Sequence, residues 1–134
     1  MERHNWIKTV IRETGLSFNE ENNVFSSYWK INSDFKIKII LAYDIHPEWI
    51  HILCNVGVIS SYKPEVTRTV LRLNNVGIGT KFSLSQNNMI VCSSEIRDEH
   101  LSEEYLKRQV TQLVKIVTSF YDLVKKENLK LNSA

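Results

Sequence analysis

Apolar residues recur at Leu106, Val110, Leu113, Val117, Phe120 and Val124, in steps of four, three, four, three and four. That spacing traces one face of an α-helix and predicts a helix from Ser102 to Glu127. Val114 and Tyr121 widen the stripe, as suits a helix lying on a sheet. About 26 residues at 1.5 Å each make a rod of roughly 39 Å. Ser102 reads as its N-cap. Glu103 and Glu104 suit the positive end of the helix dipole, and Leu101 and Leu106 stand where a hydrophobic staple would close. This helix is expected to roof the core.

Upstream, Glu2 to Thr14 predicts a first helix, with Trp6, Ile7, Val10 and Ile11 on one side and Gly15 as a C′ residue. Three strand-like runs follow. Val24 to Ile31 is rich in aromatic and β-branched residues, and Asn32-Ser33-Asp34 is a turn cluster. Phe35 to Tyr43 alternates, with Lys36 and Lys38 opposite Phe35, Ile37, Ile39, Leu41 and Tyr43. Asp44 to Pro47 turns the chain. In Glu48 to Val58, Ile50, Ile52, Cys54, Val56 and Val58 share one face; Trp49, His51, Leu53 and Asn55 share the other. Pro64 opens a second helix whose inner stripe is Val66, Val70 and Leu73, with Leu71 beside it. Asn74-Asn75-Val76-Gly77 ends that helix. A hairpin follows, Thr80 to Ser85 and Met89 to Ile96, turning through asparagines. In its second strand Ile90, Cys92 and Ile96 fall on one face, and Ser94 interrupts them.

The elements therefore read α-β-β-β-α-β-β-α. This is an α+β fold, a single antiparallel sheet with helices packed on one face. Residues 1–127 form one domain, and the polar stretch 128–134 is expected to fray.

Composition narrows the functions. An apolar share of 43% supports a proper core, and a net charge of +2 with interspersed signs argues against nucleic-acid or membrane partners. No apolar run approaches the ~20 residues of a membrane span, and no secretory leader is apparent in Met1 to Gly15. Cys54 and Cys92 sit in apolar strands and read as buried reduced thiols of a cytoplasmic protein. The four histidines have no zinc spacing. Gly77-Ile78-Gly79 lacks the lysine, the third glycine and the following helix of a phosphate cradle. Asp98, Glu99, Glu103 and Glu104 are read as complementing the dipole of the last helix. No nucleophile motif is present, so neither catalysis nor a cofactor is expected.

Three tryptophans and five tyrosines are generous for 134 residues. Tyr28, Trp29 and Trp49 lie on strands. Either the first helix or loops cover them, or they form an open patch of the kind that holds a partner.

The run Leu71-Arg72-Leu73-Asn74-Asn75, then Gly79-Thr80-Lys81-Phe82-Ser83-Leu84, then Ile90 to Ile96, then Leu101-Ser102-Glu103-Glu104 opening a long helix, resembles the YbjN-type branch of the type III secretion chaperone-like superfamily. The similarity covers Pro64 to Lys125; the first half agrees in element order alone. The resemblance implies the fold order above, no enzymatic activity, and a cytoplasmic homodimer holding an extended client segment on its sheet. It also implies dimer contacts through Pro64–Asn75 and Thr80–Ile96, which place Val66, Val70, Leu71 and Phe82 at the interface. The chain departs from many secretion chaperones in being mildly basic rather than acidic. The expected function is a non-catalytic protein-binding module using Tyr28, Trp29, Trp49 and His51. The alternative is a sensor for a small apolar ligand, lined by Phe35, Tyr43, Phe82, Phe120 and Tyr121 beneath the last helix.

Overall fold

A computed structural model describes residues 2–32 and 35–131. Three helices, α1 (Glu2–Glu13), α2 (Val66–Val76) and α3 (Glu103–Lys126), cover one face of a six-stranded antiparallel sheet. The strands are β1 (Asn19–Glu21), β2 (Val24–Asn32), β3 (Phe35–Ala42), β4 (Trp49–Val58), β5 (Lys81–Leu84) and β6 (Met89–Arg97), in spatial order β1-β2-β3-β4-β6-β5. The α+β architecture is as expected, with one strand added. β1 is wholly polar and pairs with β2 through a tight turn at Asn22 and Asn23, both at positive φ (51° and 63°). Two central residues at positive φ are what a two-residue hairpin needs, and asparagine tolerates them. Of the turn expected at Asn32-Ser33-Asp34, residues 33 and 34 lie outside those described.

α3 forms as its periodicity dictates. Ser102 is extended, and its hydroxyl accepts from the Tyr105 amide at 3.1 Å, satisfying one free donor of the first turn. Leu106, Val110, Leu113, Val117, Phe120 and Val124 are all buried against the sheet. Opposite them stand Ile37, Ile39 and Leu41 of β3, Ile50, Ile52, Cys54 and Val56 of β4, and Ile90, Cys92 and Ile96 of β6. Ser94, the interruption in β6, faces the helices with these residues and donates to Gln109 of α3 at 2.8 Å.

Rings expected to line a site for an apolar ligand pack on one another. Phe35 packs edge-on to Tyr121 at 4.5 Å, Tyr121 on Phe120 at 5.3 Å, and Phe120 on Phe82 at 5.4 Å. Tyr43 is elsewhere, against Phe25 and His4.

Residues 128–131 depart from the fraying expected of the tail. Leu129 is buried, Tyr62 and Lys130 form an antiparallel bridge, and the Leu131 amide donates to Ser61 at 3.0 Å. Burial of Leu129 together with these backbone bonds holds the segment down. Residues 132–134 lie outside those described.

Candidate partner-binding surfaces

Strand parity sorts the aromatic residues between two faces. In β2, Phe25 lies opposite Leu41, Ser27 opposite Ile39 and Trp29 opposite Ile37, so Trp29 faces the helices and packs on the core. This corrects its placement on the free patch. Tyr28, its neighbour, lies opposite Lys38 on the other face and is 60% exposed. Trp49 and His51 of β4 share that open face, with Trp49 37% exposed. The structure thus brings Tyr28, Trp49 and His51 to one face and removes Trp29.

Between Tyr28 and Trp49 runs a half-buried aliphatic row, Ile40 opposite Leu53. Cations flank each aromatic ring. The Lys38 ammonium sits 5.9 Å from the Tyr28 ring centre, and the Arg97 guanidinium 5.6 Å from that of Trp49. Beside Trp49, His46 Nδ1 and His51 Nε2 are 3.0 Å apart, a hydrogen bond that requires at least one neutral ring. Burial lowers the His51 pKa, opposed by Glu95, which lies directly across from it on β6. His46, Pro47, Trp49, His51 and Glu95 line an open depression of about 530 Å³.

Arg3 of α1 fixes this end of the face, a role the sequence reading missed. Its guanidinium donates to both carboxylate oxygens of Asp98, at 2.6 and 3.0 Å, and to the Tyr43 and Trp49 carbonyls. The bidentate bond to Asp98 raises the Arg3 pKa. Asp98 lies in a single 3₁₀ turn before α3, so its partner is Arg3 rather than the dipole of α3. Helical periodicity carries no sign of this contact.

The second surface lies where α2 meets β5. Val66 and Phe82, expected at a dimer interface, are buried inside the protomer at 1% and 7% exposure, where they form the floor of the core edge. Val70 is half-buried and Leu71 is exposed. Val76, Ile78 and Leu84 add exposed apolar area that the sequence reading left out. A groove of about 230 Å³ runs between the two elements, lined in part by Val70, Leu71, Phe82 and Leu84. β5 is a sheet edge, and Asn74 caps it as a strand would. Its amide nitrogen donates to the Phe82 carbonyl at 3.1 Å, and its oxygen accepts from the Phe82 amide at 2.6 Å.

The two cysteines lie directly opposite each other on β4 and β6, as buried free thiols that burial pushes up to about 12. Among the described residues no group of three or more His, Cys, Asp or Glu is placed to hold a metal, and no helix is long and apolar enough to cross a membrane.

No protein-family model matches the chain, and no curated protein matches it. Solved structures do. A chain of the HopA1–SchA chaperone–effector complex superposes with a TM-score of 0.66 at 14% identity, over 91% of this chain and 98% of that one. The Yersinia pestis type III secretion chaperone SycH, solved with a bound fragment, gives 0.60 at 17% identity, over 88% and 98%. YbjN from E. coli gives 0.62 at 14% identity, over 95% and 94%. The chain has the fold shared by type III secretion chaperones and YbjN.

Proposed function

We propose that the protein is a non-catalytic, chaperone-like or regulatory module that holds a segment of another protein on its open sheet face. The observation that carries this reading is Tyr28 and Trp49 standing exposed, with Ile40 and Leu53 between them, on the face that no helix covers. Buried aromatic anchors supply most of the binding energy in protein interfaces, and a rigid sheet presents such anchors already ordered. His51 flanks Trp49 and belongs to the same surface. Trp29 supports it from behind by packing on the core. Neighbours of the same fold include chaperone–effector complexes, which favours a partner protein over a small ligand.

A homodimer through the α2–β5 edge, acting in the cytoplasm, completes the proposal. Leu71, at 63% exposure, and Leu84, at 52%, are the apolar side chains available for it. Light scattering should give twice the 15.7 kDa of the chain, falling to one protomer in Leu71→Glu. The binding face is tested separately by capture of partners from native extract on the wild-type protein and on a Tyr28→Ser/Trp49→Ser variant. Tyr28 is largely exposed and Trp49 partly so, and the variant should stay folded with a modest fall in melting temperature while its partners are lost. An unchanged set of partners on a folded variant would defeat the reading.

A further inference from the structure

Charge on the open face is unevenly spread. Strand register places Lys30, Lys36, Lys38, Lys81 and Arg97 there, against Glu21 and Glu95. Glu95 bonds Lys81 at 3.0 Å, and Arg97 lies within 3.8 Å of Glu48 and 3.3 Å of Glu99. At the β4–β6 end the cations are therefore matched by acids. On β2 and β3, among the described residues, no carboxylate pairs with Lys30, Lys36 or Lys38, and all three are exposed. Lys30 and Lys36 also stand directly opposite each other across the strand pair, an arrangement that costs stability in a free sheet. Together with Tyr28 they form a basic, aromatic half-face that passes along β3 from Lys36 and Lys38 to Ile40, and then across to Leu53.

We infer that this half-face docks an acidic, extended protein segment carrying apolar side chains. The inference rests on the reading of the open face as the partner site and adds the chemistry of the partner. Positions two apart on β3 are about 6.6 Å apart, the spacing at which an extended chain repeats its own side chains. Carboxylates over Lys36 and Lys38 and an apolar side chain over Ile40 and Leu53 follow one such chain. A carboxylate between Lys30 and Lys36 also removes their mutual repulsion. Nucleic acid fits less well. Glu21 and Glu95 share the face, the surface between the two aromatic residues is aliphatic, and the two rings stand at opposite ends rather than adjacent for successive bases.

The test measures fluorescence anisotropy of labelled probes with the full chain. The probes are an acidic peptide alternating glutamate with leucine and phenylalanine, the same peptide with glutamine or with lysine for glutamate, and oligothymidylate. The acidic peptide should bind at least about tenfold tighter than the glutamine peptide, weaken as salt is raised, and lose roughly tenfold in Lys36→Glu/Lys38→Glu. Lys36→Glu replaces a Lys–Lys pair with a Lys–Glu pair, which offsets the Lys38–Tyr28 contact that Lys38→Glu gives up, so the variant should melt close to the parent, and lost binding is then not unfolding. Equal binding of the acidic and glutamine peptides, abolished by Tyr28→Ser/Trp49→Ser, would overturn the charge inference and leave the partner-holding reading standing. Tighter binding of oligothymidylate, or binding by none of the peptides, would overturn the inference as well. Partner capture from extract then judges the underlying reading by itself.

Discussion

Ser94 on β6 and Gln109 on α3 are two polar residues buried inside the core, joined by a hydrogen bond of 2.8 Å. Each interrupts an apolar face, and each is the other's partner across the helix–sheet interface. Removing one side strands the other. Ser94→Ala should destabilise the fold by about 1–3 kcal/mol, because the Gln109 carbonyl loses its donor out of reach of water. The double change Ser94→Ala/Gln109→Leu removes both polar groups and should cost less than Ser94→Ala alone. Urea unfolding of the two variants decides it; a double variant weaker than the single one would show that packing, not polar satisfaction, sets the cost.

Tyr62 and Gly57 make a second local dependence. β4 carries a register shift between Asn55 and Gly57, where Gly57 adopts φ +129°. A Cβ there would lie 2.8 Å from the Tyr62 hydroxyl, which bonds the Val56 carbonyl alongside Tyr121. Gly57→Ala should therefore cost about 1–3 kcal/mol from backbone strain, with the clash against a held tyrosine in addition. Gly15 is also at positive φ (+76°) but has open space around it, so Gly15→Ala should cost about 1 kcal/mol. Thermal melts of the two variants should rank Gly57→Ala clearly lower.

The reasons one element was readable and another was not are visible residue by residue. α3 was legible because its six apolar positions repeat without a fault over five steps and its cap is a serine. β3 and β4 were legible because their faces differ in polarity. β2 was not: Val24 and Phe25 are both apolar and Ser26 and Ser27 both polar, so no alternation told Tyr28 from Trp29. Only pairing with β3 fixes that parity. β1 has no apolar residue to mark a face, although Asn22-Asn23 carried a turn signal that could have found it. The bond from Arg3 to Asp98 spans 95 positions and is set by the tertiary fold alone. On the candidate surface, exposure separates Leu71 from Val66 and Phe82, which the family resemblance had placed together at an interface.

Leu129 measures how firmly the end of the chain is held. It is 3% exposed, its carbonyl accepts from the Lys63 amide, and the Leu131 amide donates to the Ser61 carbonyl. Leu129→Ala should cost about 2–5 kcal/mol, the usual range for a buried leucine. A loss of less than about 0.5 kcal/mol, as for a surface change, would mean that this segment does not stay docked in solution. Denaturant unfolding followed by Trp fluorescence reads the difference.

Protonation of His51 should loosen the Trp49 end of the open face. Burial depresses its pKa below the ordinary 6.5, Glu95 partly opposes this, and His46 and Lys81 add to it. A histidine with a depressed folded pKa binds fewer protons folded than unfolded, so its stabilisation is complete above about pH 6.5. That contribution is lost as pH falls through the folded value. Stability should therefore decline below about pH 6.5 in a step that His51→Gln removes. The step should be small, because the site is partly open to water. Protonation of His51 also fixes its Nε2 as the donor in the bond to His46 Nδ1, which links the turn before β4 to the strand. Trp49 fluorescence should change over the same pH range and stay flat in His51→Gln. A parent protein whose stability is level from pH 7 to pH 5 would show that His51 carries no such linkage.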